Sequence, residues 1–205
     1  MGGTLVGRLA RLGFDRLSNC AQRRYSVGMT ANHSRILALF LAIAIAAVLR
    51  LVPHPPNFTP IGAMALFSGA YLGRRSIAFA APLGAMLLSD ALIGFYSGFW
   101  VTYLGVAAIV LIGWLVLSRL SVVRLGVAAI ASSVIFFLVS NFGTWALSGM
   151  YPHNAAGLAA CYIAAIPFFQ NTVAGDLFYT TLLFGGFKLA ELLVPRLRAG
   201  GPQPA

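Results

Sequence analysis

The sequence predicts an all-α fold, a polytopic bundle of membrane helices, and three observations support this prediction. Of the 205 residues, 60% are hydrophobic and only 9% are charged, whereas soluble domains carry roughly 25% charged residues. Long apolar runs follow one another along the chain, and the basic residues cluster between them. So few charges cannot cover a water-facing surface. The net charge is +10. It does not indicate nucleic-acid binding, because the basic residues lie in short clusters between apolar runs, and no nucleic acid is expected as a partner.

Six membrane-spanning helices and one shorter helix are predicted from the apolar runs, since about 20 residues are needed to cross about 30 Å of hydrocarbon. The predicted spans are residues 36–51, 60–72, 77–96, 100–117, 125–147 and 172–194. Between the last two lies "GLAACYIAAIPFF", residues 157–169, which is short for a crossing and has Pro167 near its end. We predict an interfacial or re-entrant helix there.

The distribution of basic residues predicts the orientation of these spans. Cytoplasmic segments of membrane proteins are enriched in Lys and Arg. With the N-terminus in the cytoplasm, every Lys and Arg except Arg50 falls on or near the cytoplasmic side, and residues 52–59, 94–99 and 148–171 contain no Lys, Arg, Asp or Glu. A full crossing by residues 157–169 would move Lys188, Arg196 and Arg198 outside. We therefore expect six spans with both termini in the cytoplasm.

Three regions are distinguished by composition. Residues 1–35 form a basic arm with six arginines and one acid, Asp15. Three interpretations of the arm stay open: a flexible or membrane-surface segment, an overlong start with the working protein beginning at Met29, or a targeting presequence. Residues 36–196 form the predicted membrane domain, and residues 197–205 are predicted to be a disordered tail.

Asp90 and Asp176 are the acids predicted to lie well inside the membrane, where a charged group is costly and marks a candidate functional site. Thr172, Asp176, Tyr179 and Thr180 share one helix face, and Asn141 lies near the same end of the preceding span. We predict that Asp90, Asn141, Asp176 and Tyr179 are polar contacts of a small-molecule cavity. The alternative is interhelical pairing, for instance of Arg50 with Asp90 or with Asp176.

The first loop, "VPHPPNFT" (residues 52–59), is predicted to be a rigid, extended segment, and we call it the lid loop. Its three prolines fix φ near −65° and remove backbone donors. Arg50, His54 and Asn57 are the side chains predicted to contact a substrate from this loop. The alternative is a stiff connector that only turns the chain.

Small residues recur at every fourth position of the first two spans. Ala38, Ala42 and Ala46 form one stripe, and Ala65, Gly69 and Gly73 form a second. Such stripes allow helices to approach closely. They indicate either ordinary internal packing or, for the first stripe, a docking face for a membrane partner.

Sequence motifs of catalysis and cofactor binding do not occur in the chain. There is no G-x-x-x-x-G-K-[ST] phosphate loop, H-E-x-x-H zinc motif or G-x-S-x-G nucleophile motif. Cys20 and Cys161 have no metal-ligand spacing. His54 and His153 leave a haem or metal protein, or a membrane enzyme, as a minor alternative. We predict no cofactor, no metal and no enzymatic activity.

Four segments carry a resemblance to known proteins: "RLVPHPPNFTPIGAMALFSGAYLG", "LLSD", "SNFGTWALSGMYPH" and "ACYIAAIPFFQNTVAGDLFYT". Across residues 50–184 the chain resembles an uncharacterised family of bacterial multi-pass membrane proteins. That family is thought to be related to the S components, the substrate-binding subunits of energy-coupling-factor (ECF) transporters. The short second span departs from what that relationship implies.

The resemblance implies a substrate-binding subunit of an uptake transporter in the bacterial inner membrane, S-component-like in fold. A small-molecule substrate would be captured in an outward-facing cavity under the lid loop. An ECF coupling protein with two ATPases would supply energy in trans, docking on Ala38, Ala42 and Ala46. The alternative function is a membrane scaffold or assembly protein that binds no ligand.

Overall fold

A computed structural model describes residues 33–72, 76–95 and 98–198, and all regular structure in these ranges is helical. The α-helices are α1 (His33–Leu49), α2 (Ile61–Leu72), α3 (Ile77–Ile93), α4 (Phe99–Val116), α5 (Val122–Leu147) and α6 (Ala155–Leu193). A short 3-10 helix, Pro195–Leu197, follows α6. The predicted all-α helix bundle is confirmed.

The outer surface of the helices identifies a membrane protein. Helices α4, α5 and α6 are long and apolar enough to cross a bilayer, while α1, α2 and α3 are shorter apolar helices. Large apolar side chains stand exposed on the surface, among them Leu88 at 72% and Leu92 at 76%. A water-facing helix would present charged or polar residues on that face instead. Apolar side chains exposed on this scale are typical of helices that lie in a membrane.

Helix α2 is the core of the bundle, and ten of its 12 residues are buried. It contacts α3, α4 and α5. The closest approach is to α4, where Gly69 faces the Val110 carbonyl and Gly113 faces the Leu66 carbonyl, each too near to admit a Cβ atom. This confirms internal packing for Gly69 in the second small-residue stripe. Gly73 lies outside the described residues.

Helix α6 corrects the prediction of a separate short helix at residues 157–169. The structure has one continuous helix of 39 residues, with Pro167 inside it. It begins where the Asn154 side-chain oxygen accepts the backbone N–H of Gly157 at 2.8 Å, which is an N-terminal cap. A proline removes one backbone donor, and a helix tolerates this better in a membrane than a break that exposes several groups. At 1.5 Å per residue α6 is about 58 Å long, so it extends well beyond the hydrocarbon core.

The described residues divide into two units, and the first comprises residues 33–38 and 190–198. In its described part, Arg35 of α1 forms an ion pair with Glu191 at 2.7 Å and donates to the Leu197 carbonyl. Arg198 donates to the Glu191 carbonyl at 2.8 Å. Leu197 ends the 3-10 helix, and its carbonyl and the Arg198 side chain both take part in these contacts. Residues 33–35, assigned to the arm, begin helix α1. The division into arm, membrane domain and tail stays a prediction, and residues 1–32 and 199–205 lie outside the described residues.

Candidate functional site

A cavity of about 900 Å³ lies within the second unit, residues 39–189. Its walls come from the two residues that follow α1, the lid loop, the start of α2, the last residue of α3, and helices α4, α5 and α6. The polar side chains that line it include Arg50, His54, Asn57, Thr59, Thr102, Ser140, Asn141, Thr144, Thr172 and Asp176. The cavity thus brings together five of the seven residues predicted to contact a substrate. Asp90 and Tyr179 are the two outside its lining.

Arg50, at the end of α1, is held by α3. Its guanidinium forms an ion pair with Asp90, Nη2 to Oδ1, at 2.5 Å and donates to the Ser89 hydroxyl. The Tyr103 hydroxyl of α4 donates to the other Asp90 oxygen at 2.8 Å. Asp90 is only 1% exposed. Asp90 therefore neutralises and orients Arg50 from behind, and it is Arg50 that reaches the cavity.

Asp176 of α6 has different neighbours. It is 3% exposed, and its Oδ2 accepts a hydrogen bond from the Ser133 hydroxyl of α5 at 2.6 Å. The carboxylate lies against Gly62 in the first turn of α2, where a Cβ atom would overlap it. No basic residue of the described ranges is ion-paired with Asp176. Asp176 is therefore a buried acid at the cavity wall with a hydroxyl partner and, among the described residues, no cationic partner.

The lid loop is fastened to α6 by polar and aromatic contacts. The Asn171 side-chain amide donates to the Pro56 carbonyl at 2.9 Å. The Phe58 ring packs against Tyr179, with centroids 5.5 Å apart. Tyr179 therefore supports the loop instead of lining the cavity. The loop closes the cavity against α6 at these two points.

The lid loop is less extended than the sequence predicts. The Phe58 N–H donates to the Pro55 carbonyl at 3.0 Å, which closes a turn. Asn57, inside that turn, has a φ of 62°, a conformation that asparagine adopts more readily than most residues. The His54 ring is within 3.3 Å of the Arg50 carbonyl and 3.0 Å of the Pro55 carbonyl. The three prolines stiffen the lid loop without keeping it straight.

Comparison with known sequences places the chain in a family. Residues 30–197 match a family of unknown function, DUF6580. The chain belongs to the DUF6580 family. The matched range includes every cavity residue named above. No curated protein and no solved structure matches the chain.

The second proline–histidine loop of this DUF6580 chain, near residues 151–154, has a structural role. The Trp145 indole N–H donates to the Pro152 carbonyl at 3.0 Å, and the His153 ring lies 5.6 Å from the Trp145 ring. Asn154 caps α6. Within the described ranges there is no group of three or more His, Cys, Asp or Glu side chains placed to hold a metal ion.

The first alanine stripe is turned towards the protein at its loop-side end. Ala46 is 1% exposed, and Ala38 and Ala42 are half-buried. The face of α1 that stands exposed carries larger apolar side chains instead: Leu37, Leu41, Ile45 and Val48. Ala46 therefore serves internal packing.

Several residues of the site were missed by sequence reasoning. Ser133 and Ser140 lie seven residues apart on α5, and Thr144 follows four residues later on the same face. Asn141 was predicted from the sequence, and following the polar residues of the same helix back by one or two turns could have found Ser133 and Ser140. Ser89, Tyr103 and Gly62 carried no comparable signal, because their roles depend on which helices are neighbours.

Proposed function

We propose that this protein is the substrate-binding membrane subunit of a small-molecule uptake transporter, similar in role to the S components. The cavity of about 900 Å³ carries this proposal. Apolar membrane bundles normally fill their interior with side chains, and polar groups there are expensive. A large space that collects Arg50, Asn141 and Asp176 among apolar walls has the composition of a small-molecule site.

The lid loop supports the same function. It covers one end of the cavity and is held to α6 by the Asn171 amide and the Phe58 ring. These few contacts can be broken and remade without unfolding a helix. In the proposed cycle the loop opens to admit a substrate from outside the cell and closes over it, and no covalent chemistry is involved.

The orientation belongs to the proposal. The lid loop and the loop near residue 152 carry no Lys, Arg, Asp or Glu, whereas Arg119 and Arg124 lie at the connection of α4 to α5. We propose, in line with the positive-inside rule, that the lid loop lies outside and both termini lie in the cytoplasm. The membrane in this proposal is the bacterial inner membrane. Energy would come from a coupling protein and two ATPases in trans. Ala38 and Ala42 would lie within its docking surface.

A membrane scaffold without a ligand is the second candidate. The ion pair of Arg50 with Asp90 favours it, because this pair satisfies two charges internally and ties α1 to α3. It does not account for Asp176, which has no basic partner in the described part of the chain.

Filling the cavity separates the two candidates. Ser140 lines the cavity, whereas Leu138 on the same helix is 48% exposed at the surface. We expect Ser140→Trp to abolish the release of small molecules from purified protein, measured by mass spectrometry, and Leu138→Trp to leave it unchanged. Both variants should retain the fold. If wild-type protein releases the same compounds as Ser140→Trp, the transporter function is wrong and the scaffold takes its place.

A further inference from the structure

The charges around the cavity do not balance, and the imbalance indicates what the cavity accepts. Its titratable lining residues are Arg50, His54 and Asp176. The Arg50 cation is neutralised by Asp90 at 2.5 Å. His54 holds its ring nitrogens near two backbone carbonyls of its own segment. Asp176 is left as the acid at the cavity wall without a basic partner in the described ranges.

A carboxylate in this position is costly unless a positive charge accompanies it. A buried ionised group without a counter-charge is strongly disfavoured, and a single hydroxyl such as that of Ser133 compensates only in part. Within the described residues, the Thr180 hydroxyl one turn further along α6 is also buried without a hydrogen-bond partner. The Phe136, Phe137 and Phe168 rings line the same cavity, and aromatic faces attract cations.

We infer that the cavity takes a compound with one positive charge, an amine or ammonium group on an apolar body, and that Asp176 is its counter-ion. This inference rests on the proposed binding function and specifies its substrate class. The positive group of the compound would lie beside Asp176, just as the Arg50 guanidinium lies beside Asp90. Gly62 has no side chain, and this leaves room beside the first turn of α2 for the Asp176 carboxylate at the cavity wall.

Three probes of one shape and three charges test the inference: tryptamine, tryptophol and indole-3-propionate, which are a cation, a neutral alcohol and an anion. Binding to the full chain in lipid nanodiscs is measured by equilibrium dialysis, with empty nanodiscs correcting for partition into lipid. We expect tryptamine to bind at least about tenfold more tightly than tryptophol, since hydrogen bonds to charged groups contribute that much. Indole-3-propionate should bind most weakly.

Three variants locate the preference. Asp176→Asn should lose at least about tenfold in tryptamine affinity and keep the tryptophol affinity, because only the charge is removed. Adding Thr172→Asp, one turn away on the same lining face, should restore a preference for tryptamine. Glu191→Gln removes the same charge from an acid that does not line the cavity and should keep the wild-type affinity for tryptamine.

Any of three results would overturn the inference: no binding of tryptamine, equal or tighter binding of tryptophol or indole-3-propionate, or a cation preference that survives Asp176→Asn. The last result would mean that another group, and not the Asp176 carboxylate, produces the preference for the cation. If the probes fail but wild-type protein releases a neutral or anionic compound that Ser140→Trp does not, the transporter function stands and only the substrate class is wrong.

Discussion

Asp90 and Asp176 are the same chemical group in similar burial, but their neighbours differ. Asp90 is accompanied by the Arg50 guanidinium and the Tyr103 hydroxyl. Asp176 has the Ser133 hydroxyl and the space left by Gly62. The removal of each charge therefore has a different consequence for stability. Stability depends on whether the substitution leaves a partner charged and unpaired, because an unpaired buried charge destabilises the fold more than the absence of both charges does.

Asp90→Asn should lower the free energy of unfolding by about 2 kcal/mol or more, because Arg50 loses its counter-ion while it stays largely buried. Asp176→Asn should change it little, since the Ser133 hydroxyl can still donate to the amide oxygen. The measurement is unfolding of both variants in detergent micelles. The double variant Arg50→Met, Asp90→Asn should recover most of the loss, and equal stability of the two single variants would contradict the assignment of the ion pair.

At the scale of the helices, backbone contact between α2 and α4 fixes the centre of the bundle. Gly69 of α2 and Gly113 of α4 each face a backbone carbonyl of the other helix. Backbone cannot move aside as a long side chain can, so a methyl group at either position must push the helices apart. Small residues drive association of this kind in membranes, where the hydrophobic effect does not hold helices together.

Gly113→Ala should destabilise the protein by about 1–3 kcal/mol, the range for overpacking. Gly84 in α3 is the matched control, because a Cβ atom there meets no other atom within 4 Å. Gly84→Ala should be neutral or stabilising by up to about 1 kcal/mol, since alanine favours helix more than glycine does. Thermal melting of both variants in the same detergent compares them. If the two substitutions have the same effect, the close α2–α4 approach is absent.

At the scale of the whole molecule, exposed apolar side chains on the helices define the surface that faces lipid. Helix α2 is shorter than a bilayer crossing requires, at about 18 Å for its 12 residues. It needs no lipid-facing length because other helices surround it. Helix α6 is longer than a crossing, so one of its ends extends out of the hydrocarbon. The six-span topology with both termini in the cytoplasm stays a prediction.

Cysteine labelling in intact cells tests that topology. Cysteines in place of Asn57 and Asn154 should react with an impermeant reagent from outside, because both positions lie in the uncharged loops. Cysteines in place of Ser76 and Ser121 should react only after the cells are opened, because basic residues lie beside them. Labelling of Ser121→Cys in intact cells would contradict the six-span topology with both termini in the cytoplasm.

Composition and apolar runs alone determined that this chain is an all-α membrane protein, because uninterrupted apolar runs close to 20 residues long can bond all their backbone groups in a bilayer by forming helices. The positions of α3, α4 and α5 followed from the same runs to within a few residues. Residues 155–193 did not: Pro167 indicated a break, but the Asn154 cap and the cost of exposing backbone in a membrane maintain one helix.

The polar residues show the same division between sequence and tertiary structure. Helical spacing and intramembrane charge singled out Arg50, Asn141 and Asp176, which line one cavity. Only the tertiary structure decided that Arg50 pairs with Asp90 and that Tyr179 supports the lid loop. The physical reason is that spacing along a helix determines which side chains share a face, whereas the neighbouring helix determines whether a charge on that face is neutralised or left for a ligand.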